Sequence, residues 1–202
     1  MKNIVVFGGS FNPPTKAHLE IGLRALKFIN ADRLCFLPVG DKYNKSSLIS
    51  YNYRVDMLNI LKEKNKDFKI DVDLTEINSF ENLSTIDSLN ILQEKYKDCT
   101  LYFLLGADNL LHINEWKNPN DLLNNYKILA IKRNGYDIED IISSNSLLSK
   151  YKNSIIEIDT EGEFFVSSTI VRDCILKDED VSLYIEEEIE NYIKLNNLYI
   201  NK

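Results

Sequence analysis

Thr15 and His18 stand three residues apart, directly after the run Gly8-Gly9-Ser10-Phe11-Asn12-Pro13-Pro14. On the first turn of a helix that spacing points a hydroxyl and an imidazole the same way. Thr15 suits the N-cap, Pro13-Pro14 presets the backbone for helix entry, and Gly8 and Gly9 allow a sharp bend close to a ligand. A helix beginning there offers unpaired N–H groups and a positive dipole end, a setting for phosphate. A second cluster lies far along the chain, where Ser167, Ser168 and Thr169 precede Arg172. Its hydroxyls cap another helix, and a guanidinium in that first turn can bridge phosphate oxygens as a lysine cannot. Neither stretch has the spacing of the dinucleotide fingerprint GxGxxG or of the phosphate loop GxxxxGK[ST].

Regular elements must hold these groups. Ile4-Val5-Val6-Phe7 is an unbroken apolar run of the kind that makes a buried parallel strand. Leu19, Ile21, Leu23, Ala25, Leu26 and Phe28 then recur as a wide stripe at helical spacing. The first cluster is therefore the loop from the first strand into the first helix, where open α/β sheets bind phosphorylated ligands. Strands are predicted over 33–39, 68–72, 101–105, 126–131 and 154–158. Between them come helices over 51–64 (buried side Val55, Met57, Leu58 and Leu61), from Ser84 onward, and over 137–151. A helix after Ser167 carries Ile170, Val171, Cys174 and Ile175 as its apolar positions. An acidic tail helix over 178–196 buries Leu183, Ile185, Ile189 and Ile193 and is assigned no chemistry. This alternation predicts an α/β, Rossmann-like, doubly wound and mostly parallel sheet with helices on both faces, as one domain over 1–202.

The composition excludes several classes. With 44% apolar and 27% charged residues the chain reads as a soluble globular protein, and no apolar run approaches membrane-spanning length. A formal net charge of −7 makes it a poor general binder of nucleic acid. Polyanionic nucleotides would have to be held by a few local cations, helix ends and a metal ion. Met1-Lys2-Asn3 leads straight into a strand, and Cys35, Cys99 and Cys174 lack metal-ligand spacing. These features predict a cytoplasmic protein with reduced core cysteines.

The first cluster resembles the HxGH/TxxH signature of the nucleotidyltransferase superfamily, and the form GGSFNPPT…H most resembles the adenylyltransferases that make NAD or its acid precursor from mononucleotides. Ala17 stands where many bacterial members have Gly. The likeness runs over nearly the whole chain. Ser84-Thr85-Ile86-Asp87-Ser88-Leu89 resembles the family's YTIDTL stretch, and Gly106-Ala107-Asp108 followed by Trp116 resembles its GADxxxxxxxW. Val166 to Arg172 resembles ISSTxIR, and Lys132-Arg133 resembles a strand-then-Arg turn. The segment 38–57 is similar to a lysine-bearing loop leading into a helix with an arginine, here Lys45 (or Lys42) and Arg54.

The resemblance implies adenylyl transfer from ATP, carried with Mg²⁺, to a pyridine mononucleotide, with release of pyrophosphate. His18, assisted by Thr15, would donate to the phosphate in the transition state, while Arg172 and Lys45 handle phosphates. ATP would be held by Gly8, Gly9, Ser10, Phe11, His18, Gly106, Asp108, Ser167, Ser168, Thr169 and Arg172. The mononucleotide would be held by Asn12, Lys45, Thr85, Trp116 and Arg133, and no protein side chain is assigned to a metal. Asp108 at a strand end also suits ribose hydroxyls on its own chemistry. Trp116 could stack on a pyridine ring or pack beneath its loop. Arg54 could hold phosphate or shape the loop, and His112 reads as structural.

Other readings stay open at this point. The superfamily includes phosphopantetheine adenylyltransferases and cytidylyltransferases, against which the Ser84–Leu89 and Gly106…Trp116 segments argue. A nucleotide sensor without catalysis would keep the same pocket. Nicotinate versus nicotinamide mononucleotide is unsettled, and a homo-oligomer is neither indicated nor excluded.

Overall fold

The computed structural model describes residues 2–42, 47–132, 136–159 and 167–200. In chain order these form β1 (Lys2–Gly9), α1 (Lys16–Phe28), β2 (Arg33–Pro38), α2 (Tyr51–Lys64), β3 (Ile70–Val72), α3 (Thr75–Asn78), α4 (Thr85–Lys95) and β4 (Cys99–Gly106). There follow α5 (Ala107–Leu111), α6 (Pro119–Asn125), β5 (Lys127–Ile131), α7 (Ile138–Ser144), α8 (Ser146–Lys150), β6 (Ile155–Ile158), α9 (Ser168–Leu176) and α10 (Glu187–Leu195).

The six strands make one sheet in the order β3-β2-β1-β4-β5-β6, and every pairing is parallel. Period-two alternation between two covered faces explains the unbroken apolar runs within β1 and β4. Ile4 and Val6 face one core while Val5 faces the other, and Leu101, Phe103 and Leu105 oppose Leu104 in the same way. α4 to α8 cover the first face and α1, α2, α9 and α10 the second. Each fully buried Leu or Ile in these layers contributes about 1.5–3 kcal/mol of transfer free energy. The strand order reverses between β1 and β4, so their carboxyl ends, with Gly8-Gly9 on one side and Gly106 on the other, border the crevice where such sheets take ligands.

Several sequence expectations are corrected. The helix over 137–151 breaks at Asn145, whose extended backbone (ψ 114°) ends α7 while its Oδ1 caps α8 by accepting from the N–H groups of Leu147 and Leu148. The tail is helical only over Glu187–Leu195. Asp178, just past the Lys177 C-cap of α9, takes a left-handed φ of 56°, and Asp180 accepts from Ser182, making turns where a long helix was expected. Leu183 is consequently 78% exposed, whereas Ile185, Ile189 and Ile193 are buried as expected. Phe28 lies beyond the buried stripe of α1 and is 58% exposed. On α2 the fully buried position is Arg54 rather than Val55, which is half-buried. The third strand begins at Ile70, since Phe68 is held in a turn on Asn65. All three cysteines are free, but only Cys35 is buried.

Candidate active site

The loop between β1 and α1 is set by packing before any ligand arrives. The sharp turn falls on Phe11, at a left-handed φ of 45°, rather than on the glycines. Phe11 is buried, edge-on to Phe7, Phe36 and His18. Gly8 and Gly9 are needed for close approach: a Cβ on either would stand 3.1 Å from the ring of Phe103 or Phe11 respectively.

α1 then starts with a reciprocal cap. The His18 N–H donates to Thr15 Oγ1 at 3.3 Å, and the Thr15 N–H donates to His18 Nδ1 at 3.0 Å. The hydroxyl of Thr15 also lies 2.7 Å from Nδ1. Thr15 is buried, so its hydroxyl orients the imidazole instead of facing a ligand beside it. Because Nδ1 receives a backbone N–H, the neutral ring carries its proton on Nε2. The capping pair thus selects one tautomer, the one that donates from Nε2.

α9 is drawn against the same loop. Ser168 Oγ donates to the Pro13 carbonyl at 2.8 Å. Arg172 Nη1 donates to the Asn12 carbonyl at 2.7 Å, and its Nη2 donates to Thr169 Oγ1 at 3.1 Å. Ser167 Oγ is the N-cap, accepting from the N–H of Ile170. The three hydroxyls are therefore engaged in building the site. In a chain with 31 acidic residues, neither α1 nor α9 has one in its first turn, whereas α10 has three. Among the described residues the first turns of these two helices carry no acidic side chain of their own, which favours an anion at their positive ends.

Arg54 does not reach for phosphate. It is fully buried and donates to the carbonyls of Ile49, Ser10 and Val39 and to Asp41 Oδ1, at 2.7–3.1 Å. Burial lowers its pKa, and Asp41 opposes that loss of charge. Asn12, expected at the mononucleotide, is likewise buried: its Nδ2 donates to the Ser47 carbonyl at 2.7 Å and its Oδ1 accepts from the N–H of Ile49. Of the two roles the resemblance left open for Arg54, the structure shows the shaping of the loop, and an arginine among Val55, Met57, Leu58 and Leu61 was its trace. Lys42 donates to the Phe80 carbonyl across the loop. Lys45 and Arg133 lie outside the described residues.

On the other side of the crevice, Asp108 sits in the first turn of α5 at the end of β4. Trp116 is half-buried against Phe103, with ring centroids 6.3 Å apart, and through Phe103 it adjoins Gly8. Thr85 opens α4, where Ser84 and Asp87 form a second capping box. Lys117 binds both oxygens of Asp87, at 2.9 and 3.2 Å, pinning the Trp116 loop to that helix start. Hydrogen bonds from Ser84, then Lys117, hold the Asp87 carboxyl below the usual carboxylate range. Phe103 and this pair bring Thr85, Trp116 and Gly8 into one wall, distinct from the Arg172 side. His112, by contrast, is an exposed residue 3.1 Å from Glu115 rather than part of the apolar layer.

Glu76 of α3 is an unexpected half-buried acid. Its Oε1 accepts from Ser88 Oγ at 2.8 Å, and burial pushes its pKa up to about 7, the hydrogen bond opposing. The neutral form is favoured in the fold, so its stabilising effect is complete below the unfolded value of 4.5 and is lost as pH rises through about 7. Glu76→Gln is therefore expected to stabilise the protein by about 2 kcal/mol near pH 8 and to change nothing near pH 4. Urea unfolding at the two pH values checks this, and an equal effect at both would contradict it.

Among the described residues no group of three or more His, Cys, Asp or Glu is placed to hold a metal ion. No described helix is long and apolar enough to cross a membrane. A cavity of about 730 Å³ beside β3 and α3 shares no residue with either side of the crevice. It is the converging donors that mark the site.

The cytidylyltransferase-like family matches residues 6–174. A protein of Clostridium acetobutylicum named "Probable nicotinate-nucleotide adenylyltransferase" is 31% identical over 203 residues, spanning 99% of this chain and 100% of its own. The Plasmodium falciparum nicotinic acid mononucleotide adenylyltransferase complexed with NaAD superposes with a TM-score of 0.83 at 25% identity, over 98% of both chains. The same enzyme complexed with APC gives 0.80.

Proposed function

Since this chain belongs to the cytidylyltransferase-like family and, within it, to the nicotinate-nucleotide adenylyltransferases, we propose that the crevice between β1 and β4 transfers the adenylyl group of ATP to nicotinate mononucleotide. The observation that carries this reading is the Thr15–His18 cap meeting the α9 start and Arg172 on one loop.

The mononucleotide phosphate is already an anion and needs no activating base. One of its oxygens attacks the α-phosphorus, the bond from that phosphorus to the β-phosphate oxygen breaks, and pyrophosphate leaves with the electron pair. His18 Nε2–H donates to the transferring phosphoryl oxygens as charge builds on them, with Thr15 fixing the ring. Arg172 and the α9 N–H groups take the β- and γ-phosphates, and Lys45 a phosphate at the loop. Gly106 and Asp108 receive the adenosine ribose. Catalysis is then alignment plus charge stabilisation, without a covalent intermediate. Mg²⁺ enters as part of the ATP substrate, bound to phosphates and water, where it neutralises the leaving charge. We place the reaction in the cytoplasm.

The mononucleotide ring lies against Trp116 and the start of α4. Lys117 is paired with Asp87 and adds no net charge, so it is the first-turn N–H groups of α4 that would favour a ring carboxylate over a carboxamide. Trp116 is the only tryptophan, so its emission reports this wall directly. Titration with nicotinate mononucleotide is expected to quench it, at least about tenfold more tightly than nicotinamide mononucleotide, a gap of about 1.4 kcal/mol. Equal affinities, or no quenching by either, would contradict the placement.

A further inference from the structure

The tail was assigned no chemistry, yet its last described turn ends in the catalytic loop. After α10, Asn197 takes a left-handed φ of 50° and the Leu198 N–H bonds back to the Ile193 carbonyl at 3.0 Å, while Leu198 is buried. This C-cap delivers Tyr199, itself left-handed at φ 66°, a costly conformation for a bulky residue. Its hydroxyl donates to Asn12 Oδ1 at 3.1 Å. Burial raises the phenol's pKa, and the charges of Arg172 and Arg54 oppose that rise. The tail also touches α1, whose first residue Lys16 donates its N–H to the Tyr184 carbonyl and its Nζ to the Ser182 carbonyl.

Asn12 is thus a node. Its side chain joins Tyr199 to the backbone at Ser47 and Ile49, and its carbonyl holds Arg172. A hydroxyl on Oδ1 fixes the plane of the Asn12 side chain and so the residue whose own carbonyl orients the guanidinium. We propose that Tyr199 is a positioning residue of the adenylyl-transfer site, holding Asn12 so that Arg172 meets the leaving phosphates in register. The proposal rests on the adenylyl-transfer reading for its kinetic consequence but not for its geometry.

The test is Tyr199→Phe in the full chain, which keeps the ring and removes the hydroxyl. Expected are a kcat about fivefold to tenfold lower, weaker product inhibition by pyrophosphate and an unchanged KM for nicotinate mononucleotide. The unfolding midpoint should fall by no more than about 3 °C. In an Arg172→Lys background, Tyr199→Phe should add little further loss, because both act on one contact. A wild-type kcat, or losses that multiply independently, would overturn the proposal. Amide exchange at Phe11, Asn12 and Ile49 separates the two readings. If the wild type turns over no pyridine mononucleotide, the function fails, and faster exchange at these amides in Tyr199→Phe still supports the node while unchanged exchange overturns it.

Discussion

His18→Ala is expected to lower kcat about 10³-fold, the scale of a positioned donor to a phosphoryl transition state. KM values should move far less, because the imidazole donates most strongly to charge that appears only as the α-phosphorus is transferred. Stability should fall by about 1 kcal/mol, since His18 is the reciprocal partner in the cap of α1 and Thr15 loses its acceptor. Steady-state pyrophosphate release and urea unfolding, measured side by side, separate these effects. A kcat within tenfold of wild type would remove His18 from the mechanism.

Arg54→Met is expected to have the largest effect on stability, about 3–5 kcal/mol. The guanidinium satisfies three carbonyls and one carboxylate around a fully buried position, and a thioether satisfies none of them. Ser10 lies in the β1–α1 loop, and Val39 and Ile49 lie at the two ends of the β2–α2 connection, so their release also unmoors the start of the site. Arg54→Lys should recover only a minor part, because one ammonium cannot span three carbonyls in the guanidinium's plane. The urea midpoint reads this loss, and a cost below 1 kcal/mol would show that water replaces the clamp.

The two substitutions mark what was legible in the sequence. Strand-helix alternation and the apolar runs at Ile4–Phe7 and Leu101–Leu105 were enough for the doubly wound sheet, because a strand buried on both faces has no polar side to disguise it. The Thr15–His18 spacing was readable because a helix start fixes side-chain direction within one turn. What escaped depended on contacts distant in sequence. Asn12 spends its side chain on the backbone at Ser47 and Ile49, and Arg54 spends its guanidinium on the carbonyls of Ser10 and Val39; only the folded loop brings these groups together. The tail failed for a different reason. Leu183 fits a helical stripe with Ile185 and Ile189, but the left-handed Asp178 and the Asp180 turn interrupt the helix before any stripe can form.

The most direct measurement is pyrophosphate release from Mg·ATP by the wild-type protein, with nicotinate mononucleotide, nicotinamide mononucleotide and phosphopantetheine supplied in parallel. The proposed reaction predicts turnover with nicotinate mononucleotide at a kcat/KM at least about tenfold above that with nicotinamide mononucleotide, and none with phosphopantetheine. Turnover with phosphopantetheine alone, or with none of the three, would contradict it.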